Sequence, residues 1–483
     1  MYQTYVLKSA AAVQRTVSGL LIVLGCCLVS AASAQSGFER VYGGAGMEFG
    51  YSVRQSPDGG YVLLGSTESF GTGDRDIYLV RTDAEGDTLW TRTFGAIGFD
   101  SGSELELTAD GGIVLCGLLA MHSVVIKMTL QGAVEWTTEL PDYAVAIVQT
   151  PTGDYIATGG AWLGNANYDM FATRLTPLGD PLWTRTYGTF EGAVPLSEQA
   201  RDISMTTDGG YVLYGPGGAS FDLGIPSDHL LVKINEVGDT LWTKLFGGAG
   251  FEEGFSAEET DDGGLILLGN STSFGGNMYE VIKTDADGAV EWSRTLDGEG
   301  GADEGYEMRQ TPDGGYAFAG RFVDEDTEQS SVFLVKLDAL GDTTWTKTFR
   351  QGQGTGLDLT ADGGYAIAGF TSSIGAGLND LYLIKTDENG LMLGEAEPEG
   401  SRVPHASVFP DPVTDRAVIA FPNPHKAAVS MLLVNAIGQT VREARCGATD
   451  RIVLERQDLP SGQYQFLIKD GKNPIAQGRL IMR

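Results

Sequence analysis

The sequence predicts an all-β protein made of seven repeats, followed by a smaller β domain. A tight turn recurs at intervals of about 50 residues, a period that indicates a repeat architecture rather than one continuous core. Apolar or alternating stretches typical of short strands separate the turns. The turns read Asp58-Gly59-Gly60, Asp110-Gly111-Gly112, Gly153-Asp154, Asp208-Gly209-Gly210, Asp262-Gly263-Gly264, Asp313-Gly314-Gly315 and Asp362-Gly363-Gly364.

The first repeat shows the unit. We expect its four strands at residues 48–55, 61–65, 76–81 and 88–94. The Asp-Gly dipeptide between the first two strands favours a hairpin, because the central positions of such turns need positive φ. Four antiparallel strands in a unit of this length are typical of a propeller blade. The sequence therefore predicts a seven-bladed β-propeller over residues 35–393.

Two further residues recur with the unit. A glycine ends every second strand, which indicates close backbone approach, and a tryptophan occupies the fourth strand of six repeats, where we expect it to pack between blades. The glycines are Gly65, Gly117, Gly159, Gly215, Gly269, Gly320 and Gly369, and the tryptophans are Trp90, Trp136, Trp183, Trp242, Trp292 and Trp345. The seventh repeat has no such tryptophan. Because residues 38–42 align with the fourth strands, we expect them to complete the last blade and close the ring.

The fourth-strand pattern Asp83-x-x-Gly86-x-x-x-Trp90 resembles the tryptophan-docking repeat of quinoprotein-type propellers, with a one-residue difference in the Asp-to-Gly spacing. It fits the sialidase Asp-box less well. Either resemblance concerns blade geometry and implies no catalytic residue.

The N-terminal 34 residues predict export. Lys8 and Arg15 precede an apolar stretch at residues 17–29, which is too short to span a bilayer, and Ala32-Ser33-Ala34 fits a signal-peptide cleavage site. A lipoprotein signal ending at Cys26 is the alternative. Of the four cysteines, Cys116 and Cys446 remain after cleavage, and their different contexts argue against a disulfide. We expect no transmembrane segment in the mature chain.

The net charge of −32 excludes a nucleic-acid-binding role, which needs clustered Lys and Arg. The acidic excess lies in the propeller, whereas residues 407–483 are slightly basic. This change of sign, together with the Gly- and Pro-containing stretch at residues 394–406, indicates a linker and a domain boundary.

Residues 407–483 predict a small Ig-like β-sandwich from their short alternating strands. They also resemble the type A sorting domain of type IX secretion substrates. The resemblance rests on Pro410-Asp411-Pro412, on Gly438 after an aliphatic strand, and on Gly462 and Tyr464 at a later strand entry. Asp411 stands where the family usually has Asn, and Pro422-Asn423-Pro424 supplies that tripeptide later. The alternative is an ordinary accessory domain.

This resemblance implies recognition by the type IX secretion machinery. The protein would then be secreted, or displayed on the outer-membrane surface of a Gram-negative bacterium. We expect cleavage of the sorting domain near the linker.

Acidic residues begin the first strand of most repeats, and they are the candidate binding residues. They are Glu48, Asp100, Glu198, Glu252 and Asp303, with Asp142 as a possible sixth. Since first strands surround a propeller axis, these acids could ring one mouth of the channel and bind a cation or a basic ligand. The alternative is that they accept hydrogen bonds from loop N–H groups. The variable loops after the second strands open on the same face.

No nucleophile, phosphate-loop or metal-ligand motif appears in the sequence, so we expect neither a catalytic residue nor a cofactor. Acidic turns such as Asp83-Ala84-Glu85-Gly86 suggest calcium loops only weakly, and ordinary turn chemistry explains them. The sequence thus predicts a non-catalytic surface or extracellular protein that binds glycan or protein. The alternatives are a propeller enzyme, such as a polysaccharide lyase, a glycosidase or a quinoprotein, and a structural matrix component.

Overall fold

The structure is a computed structural model, and it describes most of the chain from residue 37 onward. The described residues are 37–164, 167–188, 197–219, 225–274, 277–296, 303–324, 327, 329–392, 406–409, 413–421, 423, 426–435, 439–457, 459–471 and 473–482. The predicted signal peptide and most of the predicted linker lie outside them. Across the described ranges, no helix has the length and apolarity needed to cross a bilayer.

The first four blades are separate four-stranded antiparallel sheets. Blade 1 contains β2 (Glu48–Gln55), β3 (Tyr61–Thr67), β4 (Asp76–Thr82) and β5 (Thr88–Phe94). Blade 2 contains β6 (Ser101–Leu107), β7 (Gly112–Leu119), β8 (His122–Thr129) and β9 (Val134–Leu140). Blade 3 contains β10 (Tyr143–Gln149), β11 (Tyr155–Gly164), β12 (Asn167–Leu175) and β13 (Pro181–Tyr187). Blade 4 contains β14 (Asp202–Met205), β15 (Tyr211–Gly217), β16 (Asp228–Ile234) and β17 (Thr240–Phe246).

Blade 5 is also a separate four-stranded sheet, whereas blades 6 and 7 share one long strand. Blade 5 contains β18 (Glu252–Glu259), β19 (Leu265–Ser271), β20 (Met278–Thr284) and β21 (Val290–Leu296). Blade 6 contains β22 (Glu304–Gln310), β23 (Tyr316–Val323), β24 (Ser330–Leu337) and the first half of β25 (Thr343–Leu359). Blade 7 contains the second half of β25, β26 (Tyr365–Thr371), β27 (Asp380–Thr386) and β1 (Phe38–Tyr42). The strand β25 passes from one blade to the next without a loop, because Gln351 still pairs with blade 6 while Gly352 already pairs with blade 7.

The N-terminal strand β1 closes the ring. It pairs antiparallel with β27 from Phe38 opposite Lys385 to Tyr42 opposite Leu381. It therefore occupies the outer position that a fourth strand fills in every other blade. The predicted seven-bladed all-β fold is confirmed.

The C-terminal residues form a β-sandwich of two antiparallel sheets. Its strands are β28 (Ser407–Phe409), β29 (Arg416–Ala420), β30 (Ala428–Asn435), β31 (Thr440–Ala448), β32 (Arg451–Glu455), β33 (Gly462–Asp470) and β34 (Asn473–Met482). One sheet has the order β28-β29-β32 and the other β31-β30-β33-β34. Buried side chains that include Ile419, Leu433 and Phe466 form its core.

The recurring tryptophans dock neighbouring blades together, as the sequence predicted. Each ring lies against the glycine of the turn between the third and fourth strands of the next blade; Trp345, for example, packs on Gly390. That glycine has φ +71°, and a Cβ there would lie 2.7 Å from the indole ring, so the site suits glycine on both counts. Phe38 takes the place of the tryptophan at the closing junction and packs on Gly86, whose carbonyl accepts a hydrogen bond from Tyr42 Oη at 2.7 Å.

The Asp-Gly-Gly turns carry an ion pair in all seven blades of the described chain. The turn aspartate receives a buried Lys or Arg from the third strand of its own blade, at nitrogen–oxygen distances of 2.6–3.0 Å. The pairs are Asp58–Arg81, Asp110–Lys127, Asp154–Arg174, Asp208–Lys233, Asp262–Lys283, Asp313–Lys336 and Asp362–Lys385. These residues are called the turn pairs below. The third blade lacks the usual aspartate, and Asp154 two positions later reaches Arg174 instead.

A second contact joins each turn to the following blade. At four junctions, the turn residue before the aspartate has a free backbone N–H. The first strand of the following blade then ends in Gln or Glu, whose side chain accepts a hydrogen bond from that N–H. The four bonds are Ala109 N to Gln149, Thr207 N to Glu259, Asp261 N to Gln310 and Ala361 N to Gln55, at 2.7–2.8 Å. At the other three junctions the turn residue is proline, without an N–H, and the facing position is apolar: Pro57 with Leu107, Pro151 with Met205 and Pro312 with Leu359. The chemistry of the two positions matches at every junction.

Candidate functional site

The first strands surround the axis, and bulges redirect their side chains. In six blades the pairing of the first and second strands shifts by one residue, at Tyr51, Ser103, Val145, Phe255, Tyr306 and Thr355. The recurring second-strand glycine lies beside this shift: a Cβ on Gly65 would overlap the carbonyl oxygen of Phe49. A bulge re-aims the side chains near it. The recurring glycine therefore permits the bulge that shapes the axial channel.

An ionic network crosses the axis below the bulges. Arg54 of blade 1 lies 3.2 Å from Glu104 and 3.1 Å from Glu106 of blade 2, and it reaches Glu307 of blade 6 at 3.2 Å. Arg309 pairs with the same Glu307. Blades 1 and 6 are not neighbours, so this contact places the guanidinium of Arg54 near the axis.

The carboxyl groups of this network also bind the backbone of the following blade. Glu104 accepts a hydrogen bond from Ile147 N at 2.9 Å, and Asp202 accepts one from Ala257 N at 2.8 Å. Equivalent bonds run from Gln310 N to Glu258, from Leu357 N to Glu307 and from Gln55 N to Asp358, at 2.6–2.7 Å. Among the described residues the axial network thus holds Arg54, Arg309, Glu104, Glu106, Asp202, Glu258, Glu307 and Asp358.

The excess of acids over bases changes how this network titrates. Burial raises the pKa of Glu104 well above its usual range, and the nearby Asp202 carboxyl raises it further. Burial likewise raises the pKa values of Asp202, Glu258 and Asp358. Burial opposes the charge of Arg54 and by itself would lower its pKa. The attraction of three nearby carboxylates outweighs burial and raises the pKa of Arg54; they are Glu106, Glu307 and Glu104. The network therefore keeps its guanidinium groups charged while favouring protonation of several carboxyls.

Aromatic and polar side chains line the channel nearer its mouth. Phe255 and Tyr306 make an edge-on contact with ring centroids 5.2 Å apart, and Tyr306 Oη donates to Glu304. Burial raises the pKa of Tyr143, while a hydrogen bond with Ser103 lowers it. The charge of Arg201 also acts on Tyr143. This mouth opens on the face formed by the loops after the second and fourth strands, which we call the loop face. The opposite face, formed by the turns, is the turn face.

The loop face carries every exposed aromatic side chain of the described residues. They are Phe70, Phe99, Tyr143, Trp162, Phe251 and Phe274. The turn face and the outer strands expose aliphatic residues instead, such as Leu178 and Leu340 in the turns. Because exposed aromatic groups gathered on one face mark interaction sites, the loop face is the candidate binding surface.

The structure places the five predicted acids beneath the loop face rather than on the channel wall. Glu48, Asp100, Glu198, Glu252 and Asp303 are only 0–2 % exposed. Glu48 accepts hydrogen bonds from Gly44 N at 2.9 Å and Thr67 Oγ1 at 2.7 Å, and Asp100 accepts them from Ala96 N and Ala120 N at 2.7 and 2.6 Å. Glu48, Asp100 and Glu252 each tie together the two loops beside their own strand, because the carboxylate meets N–H or hydroxyl groups of both loops. The geometry favours the alternative of a structural role.

The other predicted acids are also engaged by neighbouring groups. Glu252 accepts hydrogen bonds from Ser271 Oγ and Ser273 Oγ at 2.9 and 2.5 Å, and Asp303 accepts one from Val323 N at 2.8 Å. Glu198 lies beside the carboxyl of Asp169. Asp142, the possible sixth acid, is half-buried and accepts a hydrogen bond from the backbone N–H of Trp162. The acidic turn at Asp83 is an ordinary turn, in which its carboxylate accepts from Glu85 N and Asp87 N.

The sorting-domain residues are only partly described. Pro410, Asp411, Pro412 and Gly438 lie outside the described residues. Gly462 begins β33, and Tyr464 is buried in the sandwich core with its hydroxyl donating to the Pro460 carbonyl at 2.8 Å.

The axial network and the aromatic loop face were not predicted from the sequence. The eight charged residues of the network all stand at the penultimate residue of a first strand or two residues before it. Which of these two positions is charged, and with which sign, changes from blade to blade, so the signal is weak. Four of the six exposed aromatics share positions in pairs: Phe70 and Phe274 lie five residues after the second-strand glycine, and Phe99 and Phe251 directly precede the first-strand acid. Neither position is aromatic in every blade. The basic partners of the turn pairs, in contrast, left a periodic signal in the sequence, since a Lys or Arg occupies the same place in every third strand.

Comparisons with known proteins identify the C-terminal domain and the fold. Residues 407–483 match the family model described as a secretion system C-terminal sorting domain. A search of curated proteins finds no match. Among solved structures, an ulvan lyase of polysaccharide lyase family PL25 has 10 % sequence identity and a TM-score of 0.50, covering 72 % of this chain and 96 % of its own.

Two other similar structures have lower TM-scores. Virginiamycin B lyase from Staphylococcus aureus has 11 % identity and a TM-score of 0.44, covering 72 % of this chain and 99 % of its own. The extracellular domain of the putative hybrid two-component system BT3049 from B. thetaiotaomicron has 9 % identity and a TM-score of 0.43, covering 90 % of this chain and 55 % of its own. Identities this low show likeness of fold alone. The sorting domain and the fold together establish a propeller protein that a Gram-negative bacterium exports by type IX secretion to its surface or to the extracellular space.

Proposed function

We propose that the propeller is a non-catalytic binding domain and that its loop face holds an extracellular glycan or protein. The observation that carries this proposal is the confinement of all exposed aromatic side chains of the described residues to that face. Aromatic side chains bury large apolar areas at little entropic cost, and they dominate the energetics of binding surfaces.

The engagement of the axial carboxyls supports binding rather than turnover. Glu104, Asp202 and Glu307 each accept a backbone hydrogen bond from the next blade, and Glu104 and Glu307 also contact Arg54. A general base needs a carboxylate placed within reach of a substrate proton. These carboxylates are instead committed to holding the blades around the axis.

The test compares the two faces of the propeller in the full chain. Fluorescently labelled protein is applied to an array of purified polysaccharides and, separately, to proteins extracted from cell surfaces. A loop-face variant combines Phe99→Ser and Phe251→Ser, and a turn-face control combines Leu178→Ser and Leu340→Ser. All four side chains are exposed, so both variants should melt like the wild type.

We expect saturable binding that weakens at least about tenfold in the loop-face variant and less than twofold in the control, since tenfold corresponds to only about 1.4 kcal/mol. Equal losses in both variants would overturn the assignment of the loop face. Breakdown of a polysaccharide during the assay would overturn the non-catalytic role and favour the lyase or glycosidase alternative.

A further inference from the structure

Blade 3 carries a hairpin extension that the described second strands of the other blades lack. Its second strand β11 continues five residues past the shared glycine Gly159 to Gly164, whereas the second strands of the other blades end two or three residues past theirs. The extension pairs with β12 and sets Trp162 directly opposite Tyr168. The scaffold does not require this extension, because six blades close without it.

Trp162 is placed unlike the recurring tryptophans. Those rings pack on turn glycines between blades, whereas Trp162 is 55 % exposed at the edge of the loop face. Its ring meets that of Tyr168 edge-on, with centroids 4.9 Å apart and an interplanar angle of 65°. The strand pairing and this ring contact hold an exposed indole in a fixed orientation.

Hydrogen-bonding groups surround the two rings. The carboxyl of Asp142 accepts the backbone N–H of Trp162. The Gln199 amide nitrogen and the Tyr168 ring both lie 3.2 Å from the position that a Cβ of Gly160 would take, so the absence of a side chain there lets them approach each other. Tyr143 pairs with Gly160 across the strands, two residues before Trp162 on β11, and its side chain is exposed.

We propose that Tyr143, Trp162 and Tyr168 form a platform that binds a sugar residue of a glycan. This inference rests on the proposed binding function and names the ligand class and the residues. A pyranose ring presents an apolar C–H face that packs on an aromatic ring, and its hydroxyls need donors and acceptors at the rim. Asp142 supplies an acceptor, Gln199 supplies both kinds of group, and Arg201 near Tyr143 supplies donors.

The size of the platform favours a sugar over a folded protein partner. A stable protein interface buries about 800 Å² on each partner. Three side chains of one blade offer far less. A sugar residue, in contrast, is matched by one or two aromatic rings with polar groups beside them.

The test uses the full chain and soluble polysaccharides, one set neutral and one set containing uronate. The decisive variant is Trp162→Ala, and Leu163→Ala is its matched control because Leu163 is the next residue and is also 55 % exposed. A third variant, Trp162→Phe, keeps a smaller aromatic ring. Thermal melting checks that all three fold like the wild type.

We expect Trp162→Ala to weaken polysaccharide binding at least about tenfold, Trp162→Phe to weaken it less, and Leu163→Ala to change it less than twofold. Added polysaccharide should also alter tryptophan fluorescence in the wild type but not in Trp162→Ala. Undiminished polysaccharide binding by Trp162→Ala would overturn the platform while leaving the binding function intact. Capture of a surface protein by the loop face, with no polysaccharide bound, would overturn the glycan assignment alone. Binding that is indifferent both to Trp162→Ala and to the Phe99→Ser and Phe251→Ser variant would instead count against the proposed function.

Discussion

The turn pairs and the axial network are both layers of ion pairs, but they follow different rules. Each turn pair joins one acid to one base within a single blade and recurs around the described ring. The axial network joins different blades, varies in residue type and sign of charge from blade to blade, and holds six carboxyl groups against two guanidinium groups among the described residues. An interaction that a blade needs in order to fold must be present in every blade. An ion pair that recurs in all blades therefore belongs to the scaffold. The irregular network is not demanded by any single blade.

The two layers also differ in their access to water. In the pair of Lys283 with Asp262, the lysine side chain is 3 % exposed and the carboxylate 62 % exposed. In the axial network, Arg54 is 8 % exposed and its partner Glu307 is 13 % exposed. In five turn pairs the carboxylate is 58–65 % exposed, so loss of the base leaves a carboxylate that water can solvate, whereas loss of a base at the axis does not. Asp154 and Asp362 are the exceptions, at 16 and 14 % exposed. The other five turn pairs should therefore tolerate single substitutions better.

Substitution of Arg54 by Met should cause the largest loss of unfolding free energy. It leaves Glu104, Glu106 and Glu307 without their shared guanidinium in a buried site. Removing one member of a buried ion pair costs about 3–5 kcal/mol of unfolding free energy. Chemical denaturation of the full chain at neutral pH measures this cost. A loss below about 1 kcal/mol would show that the axis is well hydrated.

Substitution of Lys283 by Met should have a smaller effect on the same measurement. Its removal eliminates the contacts with Asp262 and Glu291 and the hydrogen bond to the Thr284 carbonyl at 2.9 Å. Water can replace the lysine at both carboxylates, so we expect a loss of about 1–2 kcal/mol. A loss as large as that of Arg54→Met would remove the distinction between the layers.

The pH dependence of stability should have opposite signs in the two layers. Four axial carboxyls have raised pKa values in the folded state, those of Glu104, Asp202, Glu258 and Asp358. The folded protein therefore gains stability as the pH falls from neutral toward their unfolded values near about 4. Hydrogen bonds from Thr260 and neighbouring groups outweigh burial and lower the pKa of Asp262 to about 2. The contribution of Asp262 is thus complete above its unfolded pKa and disappears as the pH falls through about 2.

Denaturation midpoints between pH 7 and pH 2 separate these contributions. Asp202→Asn should flatten the profile above about pH 4, and Asp262→Asn should flatten it below. The slopes matter rather than the absolute midpoints, because each substitution also changes hydrogen bonds. An effect of both variants in the same pH interval would contradict the opposite signs.

The parts of the molecule that recur were predictable from the sequence. The turns, the docking tryptophans and the strand at Phe38–Tyr42 all satisfy local rules, since each depends on a short pattern repeated from blade to blade. The positions of the five acids were predictable, but their burial was not, because it depends on loops that converge on each carboxylate. The axial network depends on bulges that re-aim side chains and on contacts between distant blades such as Arg54 with Glu307. The platform depends on one hairpin extension, which follows no repeat.

The contacts between each turn and the next blade refine the rule that recurrence marks the scaffold. At the junction of blades 2 and 3, Gln149 Oε1 accepts the N–H of Ala109 at 2.7 Å. At the junction of blades 1 and 2, Leu107 and Pro57 line the same pocket. The residue types differ, but the matching of a donor with an acceptor, or of proline with an apolar side chain, recurs. A scaffold requirement is therefore met by a pair of positions rather than by one residue.

Gln149→Leu and Leu107→Gln test this rule with the smallest expected effect. Gln149→Leu removes the acceptor of Ala109 N, and we expect a loss of about 0.5–1.5 kcal/mol in unfolding free energy. Leu107→Gln faces Pro57, which has no N–H to offer, so it gains no backbone hydrogen bond and should not stabilise the fold. The discriminating variant is Pro57→Ala combined with Leu107→Gln, which recreates the donor and acceptor of the neighbouring junction. If the double variant is no more stable than the sum of its single changes predicts, the two positions are not coupled, and the matching around the ring would have no energetic basis.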